Sequence, residues 1–235
     1  MNAGLKKHFV YWILPSLVIG ASMCIYFFNV FGLSFFIAPA FNREFGFIEN
    51  LQLFLILCII VVVFRSYKKA KDKFIRLAYL LLTLGSIFIF LEEMDYGLHF
   101  YDYLSGETGV KITSGSYEQK PRNIHNQGNL TRYIKQSVYF SFIVLLVLFP
   151  ILAKRFQFSN KYLNWLIPSQ NFIFSLLAML VLNNLAFYLD NTIKQDSITS
   201  LNSNISEFEE IFIYYISLLY LVELERKRIK PSPTL

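Results

Sequence analysis

Two carboxylates and an imidazole, Glu92, Asp95 and His99, are spaced i, i+3, i+7 near the end of an apolar run. If one helix carries all three, at 100° per residue they fall within an arc of about 60° and their side chains converge on one point. Glu93 points away from that face by roughly 100°. Such a stripe can bind a divalent metal such as Zn, Mn or Fe, or work as an acid–base set. His125, further along, supplies another nitrogen, and Glu49 adds a carboxylate near the start of a different run. Arg43 and Arg122 are placed to hold an anionic substrate group, with Asn123 and Asn126 offering amides beside them. No HExxH or CxxC spacing is present, so the metal chemistry rests on placement alone. The competing reading is structural: Glu92, Glu93 and Asp95 form an acidic helix end at the water boundary, hydrogen-bonded to Arg43, Arg122 or Arg132.

Whether these residues meet depends on the elements that carry them. The chain has 235 residues, 55% of them hydrophobic and only 16% charged, with a mean hydropathy of +0.45. A soluble domain is about a quarter charged, so much of this surface does not face water. Ten glycines, seven prolines and two cysteines exclude a collagen-like chain, a disordered one and a disulfide scaffold. Cys24 and Cys58 fall inside apolar runs and read as small buried residues.

A membrane-spanning helix needs about 20 mostly apolar residues, because hydrocarbon cannot satisfy a bare backbone. Six stretches qualify: 8–31, 47–64, 74–91, 134–153, 162–189 and 208–224. Pro15, Pro150 and Pro168 lie near the ends of runs, where a missing N–H costs least. A segment containing Pro39 is expected to lie along the interface. Lys6 and Lys7 before the first run resemble the start of a signal peptide, but the run is too long, which favours a retained helix.

Lys and Arg are held on the cytoplasmic side of a membrane. With both termini inside, that side carries 15 of the 22 basic residues against Asp72, Glu223 and Glu225, a balance of +12. The other side carries 7 basic and 13 acidic residues, a balance of −6, and together these make the net +6. Topology thus explains the charge without nucleic acid. The basic segments are also suited to anionic lipid headgroups, and a protein partner or a homo-oligomer is compatible with the chain.

The expected architecture is an all-α polytopic integral membrane protein forming one transmembrane domain over 1–235. It has about six spanning helices, N-in and C-in, and a long extracytoplasmic loop over 96–133 between the third and fourth. Glu49 near the start of the second run, and Glu207, Glu209 and Glu210 at the start of the sixth, suit the positive end of a helix dipole, with Ser206 as N-cap. Asn29, Asn183 and Asn184 read as interhelical hydrogen-bonding groups. A loop as long as 96–133 in a compact protein is functional or disordered, and the polar groups at its two ends favour a functional lid.

At these residues the sequence resembles a group of uncharacterised bacterial multi-pass membrane proteins. Their pattern has an Arg-Glu-x-Gly-x-x-Glu opening one helix, a Glu-Glu-Ile-Ser-Trp-Gly-Gln closing the next, and a later Asn-Leu-His-Asn. The counterparts are Arg43, Glu44, Gly46 and Glu49, then Glu92, Glu93, Tyr96 and Gly97, then Asn123, His125 and Asn126. Asp95 stands where the pattern has Ser and Leu98 where it has Gln. The resemblance covers about a third of the chain and implies a shared outer-face site in a bacterial inner-membrane protein; it supplies no reaction. Three functions fit: an enzyme acting on a lipid or lipid-linked substrate, a non-catalytic subunit or sensor of a larger complex, and a transporter.

Overall fold

The computed structural model describes residues 3–39, 45–97, 104, 130–156, 158–193, 201 and 205–227. Among them all regular structure is helical. Helix α1 covers residues 3–28 and is followed by a short α2 (Ser34–Ile37); α3 (Phe47–Lys69) and α4 (Lys73–Glu93) form a tight hairpin. Then come α5 (residues 130–155), the short α6 (Lys161–Leu166), α7 (Asn171–Thr192) and α8 (Glu207–Arg226). Five of these, α1, α3, α4, α5 and α7, hold stretches of 21 to 23 residues long and apolar enough to cross a bilayer, so the chain is a multi-pass membrane protein.

The surface shows the same thing. Phe54, Leu57 and Val61 on α3, Leu77, Leu81, Leu84 and Phe88 on α4, and Leu177 and Val181 on α7 stand exposed, an apolar exterior suited to lipid tails. Cys24 is exposed and Cys58 half-buried, and both are unbridged; the expectation that they are buried fails because both sit towards the outer face of the bundle. The sixth expected run forms helix α8, which is not among the five helices apolar enough to cross a bilayer, since it carries five glutamates and Arg226 within 20 residues. Its apolar side chains Phe208, Phe212 and Ile216 are nonetheless fully enclosed, packed among α3, α7 and α1. Lipid tails are as apolar as leucine, so this packing stabilises by close van der Waals fit and by polar bonds between helices.

The prolines shape the backbone more than their positions near run ends suggest. Pro15 and Pro150 lie within continuous helices, and each follows a π-helical stretch, Phe9–Ile13 and Ile143–Leu148. A proline ring collides with the carbonyl four residues back, and a widened turn relieves that collision. Pro15 has no N–H to offer Tyr11 or Val10. The Ser175 hydroxyl donates to the Tyr11 carbonyl at 2.8 Å and the Tyr215 hydroxyl to the Val10 carbonyl at 2.6 Å, so α7 and α8 supply what α1 lacks.

Pro168 acts differently. The expected fifth span, 162–189, is two helices: Ile167 takes an extended conformation, as a residue before proline tends to, and the span proper is α7. The carbonyls freed at this break are taken up by α8 and its end. The Tyr220 hydroxyl donates to the Leu166 carbonyl at 2.7 Å, and Lys227 Nζ donates to the Ile167 carbonyl. In return, the Ser169 amide donates to Glu223 Oε1 at 2.9 Å, a carboxylate that also accepts from the Tyr11 hydroxyl at 2.9 Å.

Helix α1 stops at Phe28, three residues before the expected end, because Asn29 adopts a left-handed conformation. Asn29 Oδ1 accepts the Ser34 amide, so this residue closes the local turn between α1 and α2 and, among the described residues, bonds to no distant helix. Phe31, Phe35 and Phe36 beyond it are exposed, as befits an interfacial segment.

Candidate functional site

The starts of α3, α5 and α8 and the end of α4 lie together at one end of the bundle, and the carboxylates gather there. Glu49, Glu92, Glu207 and Glu209 are all buried. Glu49 lies in the first turn of α3, where the dipole argument puts an acid. Gln52, one turn further on the same face and 0% exposed, directs its amide to α8. Its Nε2 donates to the Glu207 carbonyl at 3.1 Å and to Glu207 Oε2 at 3.0 Å. On another face of α8, Asn183 Nδ2 donates to Glu209 Oε1 at 2.9 Å. Lys135 of α5 reaches Glu210 Oε1 at 2.6 Å and Ser206 Oγ at 2.8 Å. The Tyr214 hydroxyl donates to Glu93 Oε1 at 2.7 Å, tying α8 to the end of α4, where the Tyr96 hydroxyl donates to Glu92 Oε1.

Each amide in this cluster uses its N–H on a glutamate and keeps a buried oxygen for which the described residues provide no hydrogen-bond partner. These oxygens are Gln52 Oε1 and Asn183 Oδ1. A buried acceptor without a donor is costly, roughly 1–3 kcal/mol, and invites a proton-bearing group beside it.

Two expectations meet the geometry directly. Asn183 bridges α7 and α8, as an asparagine inside a span should. Asn184 does not, since its Nδ2 donates back to the Leu180 carbonyl at 2.7 Å within the same helix. Ser206 precedes α8 but makes no capping bond; its backbone is already helical and its hydroxyl serves Lys135.

The stripe of Glu92, Asp95 and His99 needed a helix running through all three. Helix α4 ends at Glu93, Asp95–Gly97 form a 3-10 turn, and Tyr96 takes φ +54°. Asp95 therefore does not continue the helical face of Glu92. The side chain of Asp95, and all of Arg43, His99, Arg122, Asn123, His125 and Asn126, lie outside the described residues, as does most of the 96–133 loop. Among the described residues no three of His, Cys, Asp and Glu are grouped so as to hold a metal ion.

Gln52 and Lys135 were not singled out by sequence reasoning, and Glu207, Glu209 and Glu210 were read as dipole partners alone. Gln52 and Glu207 are 155 residues apart, so only the tertiary fold reveals the pair. One signal was available: Gln52 follows Glu49 by three positions in a largely apolar run, two polar groups on one helical face.

The opposite end is built from ion pairs. Lys69 meets Glu225 at 2.7 Å, Lys227 meets Glu223 at 2.8 Å and Lys161 meets Asp72 at 3.5 Å. Asp72 caps α4, accepting from the Phe74 and Ile75 amides, and takes the Tyr162 hydroxyl at 3.0 Å. Desolvation works to raise its carboxyl, but the bonds from Tyr162, the Ile75 and Phe74 amides and Lys161 outweigh it and hold the group below the usual 3.8.

Comparison of the chain with known proteins finds no matching family model, no similar curated protein and no similar solved structure.

Proposed function

We propose that the chain sits N-in and C-in, with α8 as a sixth span, and that the buried glutamate cluster is an acid–base site at the extracytoplasmic membrane face. The substrate is a lipid or lipid-linked molecule in the outer leaflet. The observation that carries this reading is the pairing of buried carboxyls with amide oxygens that lack a donor. Glu207 with Gln52, and Glu209 with Asn183, are buried carboxyl–amide pairs whose spare amide oxygens accept a donor-bearing headgroup. Ionisable groups kept at such depth in an apolar bundle are expensive and mark functional positions. Glu92, Asp95, His99, Glu49 and His125 complete the acid–base set, alone or around a divalent metal. Arg43 and Arg122, with Asn123 and Asn126, hold the anionic part of the substrate.

The test compares the lipid composition of cells with and without the protein, then with Glu207→Gln and Glu92→Gln expressed at equal levels. Loss of one lipid product on deletion, not restored by either variant, supports the enzyme. An unchanged lipid profile on deletion, or full activity of both variants, overturns it.

A second reading, a non-catalytic subunit or sensor, is favoured by the bonds from Gln52, Asn183 and Tyr214, which join helices as structural links do. A stoichiometric partner on purification, with no lipid change, selects that reading. Transport ranks lower because the charges collect at the two ends, while the middles of the spans offer little beyond Asn183 and Asn184.

A further inference from the structure

At the basic end, an open groove of about 230 Å³ runs between α3 and α4, lined by Tyr67, Lys73, Arg76, Leu77 and Leu80. Its four α4 residues are spaced as one face of a helix, so a cationic mouth continues into an apolar wall that runs towards the membrane interior. Arg76 is held over the Tyr67 ring, 5.0 Å from its centroid.

Lys73 and Arg76 sit in the first turn of α4, directly after its capping Asp72, at the end where the helix dipole disfavours cations. The acids at this end are committed elsewhere: Asp72 to Lys161 and Tyr162, Glu223 to Lys227, Tyr11 and the Ser169 amide, and Glu225 to Lys69. Among the described residues none pairs with Lys73 or Arg76. Two cations beside an aromatic ring, above the exposed Leu77 and the half-buried Leu80, call for an anion that carries a hydrocarbon tail.

We propose that this groove binds an anionic phospholipid, its phosphate between Lys73 and Arg76 and an acyl chain along Leu77 and Leu80. The site is independent of the acidic cluster at the other end. The headgroup anion neutralises both side chains, and the leucines continue the acyl layer without a polar interruption.

The experiment uses the full chain, delipidated in neutral detergent, with phosphatidylglycerol or phosphatidylcholine supplied in mixed micelles and bound lipid counted by native mass spectrometry. Wild type is expected to prefer phosphatidylglycerol, and the double variant Lys73→Gln/Arg76→Gln to lose about thirtyfold in that preference, as two surface cations imply. Leu80→Trp keeps both charges, fills the groove, and is expected to exclude the lipid. Lys154→Gln/Arg155→Gln removes equal charge from the same end and is expected to change nothing. Equal loss in that control pair overturns the proposal, as does indifference between the two lipids, unchanged binding by Leu80→Trp, or displacement of the lipid by millimolar inorganic phosphate.

Discussion

Ser175 on α7 donates a hydrogen bond to the carbonyl of Tyr11 on α1, one of the two oxygens for which Pro15 has no N–H. The relationship makes a defect in one helix into a point of attachment for another. Removing the hydroxyl leaves a backbone acceptor bare inside a bundle that offers no water.

Ser175→Ala is therefore expected to destabilise the protein by about 1 kcal/mol, and Tyr215→Phe, which frees the Val10 carbonyl, by a similar amount. In a Pro15→Ala background the helix regains its own donor, and the cost of Ser175→Ala should fall by at least half. Unfolding in increasing SDS measures all four corners of the cycle. Equal losses with and without Pro15 would show that the serine acts on something else.

Gln52→Leu keeps the bulk of the side chain but strips Glu207 of its amide partner. A loss of about 2 kcal/mol is expected, since the carboxyl stays buried. Combining it with Glu207→Leu should recover part of that loss, because both polar partners are then gone. Strict additivity of the two substitutions in thermal unfolding contradicts the pairing.

The fold and the site were legible to different degrees. Apolar runs announce spans, because a bilayer demands 20 apolar residues whatever they pack against, and five appeared where expected. The run over 162–189 was misjudged as one helix because hydropathy is blind to Pro168. The end of the 74–91 run was readable to within two residues, but the left-handed turn at Tyr96 beyond it has no sequence mark; tyrosine seldom adopts it. Glu49 and Asn183 were readable from position alone. The roles of Gln52, Lys135 and Glu207 were not, because each is defined by a partner on a distant helix.

The carboxyl of Asp72 has a folded pKa below its unfolded value near 3.8. A depressed carboxyl contributes stability above the unfolded value and loses it as pH falls through the folded one. Asp72→Asn should thus lower the melting temperature at pH 6, and the gap to wild type should narrow as pH falls below about 4. A gap that stays constant down to pH 3 would mean that the ion pair and the cap bonds contribute nothing dependent on charge.

Orientation can be read with cysteines. After replacement of Cys24 and Cys58 by alanine, Lys71→Cys, between α3 and α4, should react with an impermeant maleimide only when the cytoplasmic face is opened. Leu104→Cys, at a highly exposed position, should react in cells whose membrane is intact. The reverse pattern would invert the assignment of both ends.

Helix α8 has one more consequence, for biosynthesis. It emerges from the ribosome after the five strongly apolar helices, and its five glutamates and Arg226, gathered in its first and last turns, set it apart from them. Yet it is deeply enclosed, its acids met by Gln52, Asn183, Lys135, Tyr11 and Lys69 from earlier helices. The earlier helices thus act as its receptor: they provide the polar partners that lipid cannot, and α8 finds its place only as the bundle assembles.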